Sequence, residues 1–243
     1  MSRKLSLPTM FSFGVGQVAE GVKNQAFNVF LLFYYQQVIG IPGTMAGLAL
    51  SIAMVFDAIT DPLAGIVSDR MQSRWGRRHP FMFVSAFPLV ICFIALFSPP
   101  DTLGDMGHFL WLTGFAVLVR GSLTFFYVPH LALGAELAQD YIQRSTLFAL
   151  STVFSITAMA VVSFIGYRYF FPTTEVYSPG TLNPAGYAPF SMFFAGMMFV
   201  AIMLCVFGTG SEIKHMRVKR VTTALTLKNS LLDFKAVFSN RSY

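Results

Sequence analysis

The sequence predicts an all-α integral membrane protein of six transmembrane helices, on three observations. Apolar residues make up 55% of the 243-residue chain and charged residues only 12%, whereas a soluble domain carries about 25% charged residues. The apolar residues gather into six runs close to the roughly 20 residues that a bilayer core requires. Most of the 17 Lys and Arg residues, 14 of them, fall in short clusters outside the runs and on alternate sides of them, as topology signals do. That clustering removes the nucleic-acid reading that a net charge of +6 would otherwise invite, because no continuous basic face forms.

The first run, Phe11–Ile39, follows MSRKLSLPTM, a basic start that leads directly into the span without a small-residue cleavage site. It reads as a first membrane helix and not as a removed signal peptide. Glu20, Lys23, Asn24 and Asn28 recur along it at i, i+3, i+4 and i+8, which makes one polar stripe on a helix. The joint Gly40-Ile41-Pro42-Gly43 ends it. Met45–Val67, the second run, holds two aspartates, Asp57 and Asp61. Phe81–Phe97, the third, stops at Pro99-Pro100-Asp101. The fourth, Phe109–Leu137, carries Arg120, Tyr127 and His130. Leu147–Phe171 and Tyr187–Phe207 complete the set, separated by a Pro-, Gly- and Asn-containing joint from Pro172 to Pro184. Small residues at Gly14, Gly16, Ala46, Gly47, Ala49 and Gly196 suit close helix packing. Residues 1–210 thus form the transmembrane bundle, and 211–243 form a polar, basic tail. Leu225, Leu227, Leu231, Leu232, Phe234 and Val237 give that tail a partly amphipathic helical pattern.

Orientation follows from the short loops. With the N-terminus cytoplasmic, the inner side receives Arg3, Lys4, Arg70, Arg74, Arg77, Arg78, Arg144 and the seven basic residues of the tail, 14 of the 17. Both termini are therefore expected in the cytoplasm. Cys92 and Cys205 lie in separate apolar runs and read as buried thiols, with neither a disulfide framework nor a metal site implied.

Asp57 and Asp61 are four residues apart, so on a helix they share a face one turn apart. An unpaired carboxylate at depth in a membrane costs several kcal/mol, about what a functional site would have to justify. Hard oxygen ligands at this spacing suit Na⁺ or H⁺, since two carboxylates within reach of each other require a shared proton or an intervening cation. Pro62 lacks the N–H that would close a helical hydrogen bond and so frees a nearby carbonyl. The following loop holds Asp69, Arg70, Arg74, Gly76, Arg77 and Arg78. It serves the positive-inside rule and also suits a charge latch between cytoplasmic helix ends. Glu20 and Lys23 read either as a self-neutralising pair or as substrate contacts. With Asn24, Arg120 and Tyr127, they offer amides, charges and an aromatic face to a hydroxyl-rich solute such as a sugar, or to an anionic one. His130, beside Pro129, reads as a packed helix-end residue more than as a ligand.

The run D-x-x-x-D-P-x-x-G-x-x-S-D-R from Asp57 to Arg70, followed by R-W-G-R-R-x-P from Arg74 to Pro80, resembles the second helix and loop of the glycoside–pentoside–hexuronide:cation symporters, a branch of the major facilitator superfamily. The segment from Tyr127 to Leu137 is similar to the end of that family's fourth helix. The resemblance covers the whole chain and implies the N-terminal six-helix half of such a transporter. It implies that Asp57 and Asp61 hold the coupling cation and that Thr124 supplies a hydroxyl beside it. The family's two sugar-binding acids do not carry over: Gly21 stands at the first-helix position, with Glu20 one residue away, and Tyr127 at the fourth. Ser151 stands where the family has an arginine.

The expected function is Na⁺- or H⁺-coupled symport of a sugar, glycoside or similar polar solute, without a cofactor beyond the coupling ion. If Na⁺ couples, Asp57 and Asp61 are its ligands. The partners expected are the lipid bilayer, a small polar solute, and a missing C-terminal six-helix half or a second chain, with no nucleic acid. The setting expected is a plasma membrane or bacterial inner membrane. The alternative is a truncated, non-transporting half that acts as a membrane-embedded interaction or assembly subunit. An enzyme is not expected, because no Ser/His/Asp, His-Glu-x-x-His or Cys/His arrangement faces a common cavity.

Overall fold

The computed structural model describes residues 5–70, 73, 75–138 and 140–215, with backbone only at residues 70, 214 and 215. All regular structure among the described residues is helical. The first expected span is a succession of four pieces: α1 (Leu7–Gly16), α2 (Val18–Gln25) and two π-helical segments, Ala26–Leu31 and Tyr34–Val38. Ser6 caps α1 by accepting a hydrogen bond from the Thr9 amide at 3.3 Å, and Pro8 sits in the first turn, where its missing N–H has no intrahelical partner to lose. The break at Gln17 is a local tightening, since its amide donates to the Gly14 carbonyl three residues back.

The remaining helices are longer. They are α3 (Gly43–Arg70), α4 (His79–Leu96), α5 (Asp105–Leu137), α6 (Tyr141–Ile165) with a π-helical extension over Gly166–Phe170, and α7 (Tyr187–Thr209) with a 3₁₀ tail over Gly210–His215. Five helical stretches among the described residues are long and apolar enough to cross a membrane: Gly43–Asp69, His79–Leu96, Asp105–Leu137, Tyr141–Phe170 and Pro184–Ile213. They coincide with the second to sixth expected spans. The first expected span falls in the interrupted run, whose pieces of 10, 8, 6 and 5 residues are each short of a bilayer alone. Gly40 turns the chain from that run into α3 with φ of 89°, a left-handed conformation that glycine adopts without a Cβ clash. The amphipathic tail expected beyond residue 215 lies outside the described residues.

In the bundle, α5 packs against both α3 and α4, α4 packs on α7, α7 on α1, and α2 on α6. The core at one end is aromatic: the Tyr34 and Tyr187 rings stack at 4.0 Å, and Phe30 lies 4.8 Å from Phe190. Two hydroxyls at this end are satisfied, with Tyr35 donating to the Leu96 carbonyl at 2.8 Å and Tyr187 to the Thr181 carbonyl at 2.7 Å. His130 is fully buried between Phe13 at 4.1 Å and Phe126 at 5.2 Å, and its Nδ1 lies 3.5 Å from Cys205 Sγ. It is a packed side chain, set two turns inside the end of α5. Cys92 and Cys205 are free and buried. Outward faces carry exposed Met54, Val55, Ile59 and Leu63 on α3 and Val84 and Ile91 on α4, a surface suited to lipid and not to water.

Candidate functional site

The site is built on the contact between α3 and α5. Asp57 and Asp61 lie one turn apart on α3, and Arg120 and Thr124 lie one turn apart on α5. Arg120 directs both Nε, at 2.6 Å, and Nη2, at 2.5 Å, onto Asp57 Oδ2. Thr124 Oγ1 donates to Asp61 Oδ1 at 2.8 Å. The two rungs share a sequence offset of 63 residues, so α3 and α5 run parallel and in register. Parallel helices joined through α4 are what alternating membrane crossings produce.

The two carboxylates differ in surroundings. Arg120 and Asp57 side chains are 19% and 21% exposed, and Asp57 Oδ1 is buried without a hydrogen-bond partner. Asp61 is exposed, while Thr124 is buried. An orphaned carboxylate oxygen at this depth is costly, and a small cation or a proton would satisfy it. Pro62 follows Asp61 inside α3 and removes the N–H that would donate to the Ala58 carbonyl.

The first helical run supplies the remaining charges. Lys23 Nζ donates to Asn24 Oδ1 at 2.6 Å, and Asn24 Nδ2 donates to Glu20 Oε1 at 3.4 Å, so Asn24 bridges the two charged side chains. Lys23 lies within electrostatic range of Arg120, Glu20, Asp57 and Asp61, and Tyr127 within range of Glu20 and Asp61. The residues expected to hold cation and solute therefore occupy one region. Asn28, at the end of the stripe, is exposed.

Gly21 has a packing reason. A Cβ there would collide with the Ser155 backbone carbonyl and lie 3.0 Å from Ala158 Cβ, so α2 and α6 meet at this residue. An acid could not occupy that position without separating the helices, whereas Glu20 is placed on the polar face. Ser151, one turn earlier on α6, is buried and donates to the Leu147 carbonyl at 3.0 Å.

At the loop end of α3, Arg78 binds three partners: Glu136 through Nε at 3.0 Å and Nη2 at 2.8 Å, Asp69 through Nη2 at 2.7 Å, and Ser68 through Nη1 at 3.3 Å. Arg77 adds a 2.8 Å bond to the same Glu136 oxygen. Asp69, Arg77 and Arg78 are thus brought together. Arg70 is seen as backbone only, and Arg74 lies outside the described residues. Glu136 and Ser68 were absent from the expected latch. Glu136 closes the fourth apolar run, and an acid at the end of a span opposite a basic loop was the available signal. The cluster joins the ends of α3 and α5 to the start of α4.

Among the described residues, no group of three or more His, Cys, Asp or Glu side chains gathers to hold a metal. A cation at Asp57 and Asp61 would have to draw its other ligands from hydroxyl, carbonyl and water oxygens. An apolar groove of about 510 Å³ lies between α3, α4 and α5, lined by Phe56, Thr60, Phe81, Pro88, Leu118 and Phe125, and none of the charged residues above lines it.

A family model described as MFS/sugar transport protein matches residues 12–243. An uncharacterized symporter of Synechocystis sp. is 34% identical over 160 residues, 64% of this chain and 29% of the relative. An inner membrane symporter of Escherichia coli is 26% identical over 240 residues, 96% of this chain and 48% of the relative. An E. coli glucuronide carrier protein homolog is 29% identical over 170 residues, covering 68% and 36%. The chain spans half or less of the length of these relatives.

Proposed function

The chain belongs to the MFS/sugar transport protein family, and we propose that its bundle serves cation-coupled symport of a sugar or related polar solute. It is an integral multi-pass membrane protein. Six crossings with both termini cytoplasmic follow if the interrupted run from Leu7 to Val38 acts as one span, an arrangement that the basic loops support. Within the bundle, Asp57, Asp61 and Thr124 take the coupling cation, Na⁺ or H⁺. Glu20, Lys23, Asn24, Arg120 and Tyr127 take the solute, whose hydroxyls suit the amide and carboxylate and whose acid group, if it has one, suits the cations. The relatives' names, symporters and a glucuronide carrier homolog, support a solute of this class.

The observation that carries the reading is the two-rung contact with its buried, unpartnered Asp57 Oδ1. A carboxylate oxygen left without a partner at this depth is a position where an arriving cation gains more than it would in a satisfied site. Cation binding then favours the conformation that accepts solute, and solute favours cation by the same factor, commonly about 5–150-fold. Asp61 is held by Thr124 through Oδ1 and is exposed on its other side. In the working transporter a further helical surface covers this open side, so that solute and cation sit between two bundles and access alternates as one rocks against the other. Arg77, Arg78, Asp69 and Glu136 hold the helix ends at the cytoplasmic side in one of the two states.

Solute uptake into vesicles tests this. With Asp61→Asn, stimulation of uptake by an inward Na⁺ or H⁺ gradient falls at least about tenfold, equivalent to roughly 1.4 kcal/mol of lost coupling. Stimulation that persists unchanged in that variant contradicts the assignment.

A further inference from the structure

The Arg120–Asp57 pair changes what the cation site can be. Two bare carboxylates one turn apart would call for charge compensation of two units, and Arg120 already supplies one. Its two N–H groups converge on Oδ2 of Asp57 and leave Oδ1 buried and unpartnered, while Asp61 receives only the neutral hydroxyl of Thr124. A guanidinium keeps its charge at any pH a protein meets, so this compensation is permanent. Around Lys23 the charges are Glu20, Asp57 and Asp61 against Lys23 and Arg120, three negative and two positive. Glu20 and Lys23 are bridged through Asn24, and Asp57 is paired with Arg120. Of these five charges, Asp61 is the one with neither an ion pair nor an amide bridge to an opposite charge among the described residues.

We propose that Arg120 is a tethered counter-ion that occupies Asp57 in place of a mobile cation. The site then takes a single monovalent cation at Asp61, with the Thr124 hydroxyl and the free Asp57 Oδ1 as further ligands. Arg120, placed above among the solute contacts, thereby determines the number and affinity of coupling ions. The inference rests on the cation-coupled reading and goes one step past it, because a salt bridge that only held α3 to α5 would leave cation stoichiometry untouched.

The test is Na⁺ titration of the purified 243-residue chain in lipid nanodiscs, with choline as the replacing ion. Bound ²²Na⁺ and the thermal unfolding midpoint are read together, and the midpoint is also followed against pH. The wild-type chain binds one Na⁺, or responds to pH as a one-proton site, and Asp61→Asn abolishes the response. Arg120→Gln binds a second cation, or binds the first at least about tenfold more tightly, because a positive charge a few ångströms away has gone. Asp57→Asn does the reverse, weakening binding at least about tenfold by leaving Arg120 unpaired beside Asp61. The double variant Arg120→Gln/Asp57→Asn removes one charge of each sign and returns toward the wild-type midpoint. If Arg120→Gln does not fold, Asp57→Asn against the double variant decides the question. Unchanged or weaker binding in Arg120→Gln, or no recovery in the double variant, overturns the tethered counter-ion while a response lost in Asp61→Asn leaves the cation reading standing. No cation response in the wild-type chain or in any variant overturns both.

Discussion

At the residue scale, the chemistry rests on a few polar groups whose partners lie far away in sequence. Asp57 and Asp61 stand out in an apolar run, because charge is costly there, and their common helical face follows from spacing alone. Their partners do not stand out in the same way. That Asp57 meets Arg120 and Asp61 meets Thr124 depends on the register between α3 and α5, a packing outcome that spacing within one helix cannot supply. The same holds for Glu136, which receives both Arg77 and Arg78 across the start of α4. Gly21 shows the opposite case. On the sequence it reads as a missing acid, and in the bundle it is the point where the α6 backbone approaches α2. Gly21→Ala should lower the unfolding midpoint, at a cost of about 1–3 kcal/mol for overpacking against a backbone carbonyl that cannot rotate away. A midpoint equal to that of the wild-type chain, measured in the same nanodiscs, would show that α2 and α6 do not meet so closely.

At the element scale, five of the expected spans correspond to single helical stretches, since a long apolar run bounded by Gly and Pro leaves the chain little alternative in a bilayer. The first run was not legible in this way. Gly16 and Gln17 sit inside an apolar stretch that reads as continuous, yet the chain tightens there and then widens into π-helical turns over Ala26–Leu31 and Tyr34–Val38. π-helical turns are frequent at functional sites, and here they follow directly on the helix that carries Glu20, Lys23 and Asn24. The charge cluster at the loop end of α3 works between elements and not within one. Arg78 has an 8% exposed side chain and ties α3 to α5 through Asp69 and Glu136. Glu136→Gln should cost about 2–4 kcal/mol, below or within the range for breaking a buried pair because Asp69 still holds Arg78. It should also raise the reactivity of a cysteine placed at the loop end of α5. Unaltered stability together with unaltered labelling would remove the cluster from any role in holding the helix ends.

At the scale of the whole molecule, composition and the basic loops identify a multi-pass membrane protein, and the family match agrees with the motif between Asp57 and Pro80. The identity of the proposed solute is less legible, because solute recognition uses long side chains from several helices whose directions depend on packing. The bundle places three carboxylates and two cationic side chains in one region, with a net charge of −1 that a single monovalent cation would neutralise. Coupling is a property of the whole site, and linkage makes it reciprocal: if cation drives solute, solute must drive cation. The most direct measurement is therefore cation influx into vesicles driven by a downhill solute gradient, with no cation gradient imposed at the start. The account expects Na⁺ or H⁺ to enter with the solute, one ion per molecule, and to stop entering in Asp61→Asn. Solute that moves down its gradient while neither ion moves would contradict it.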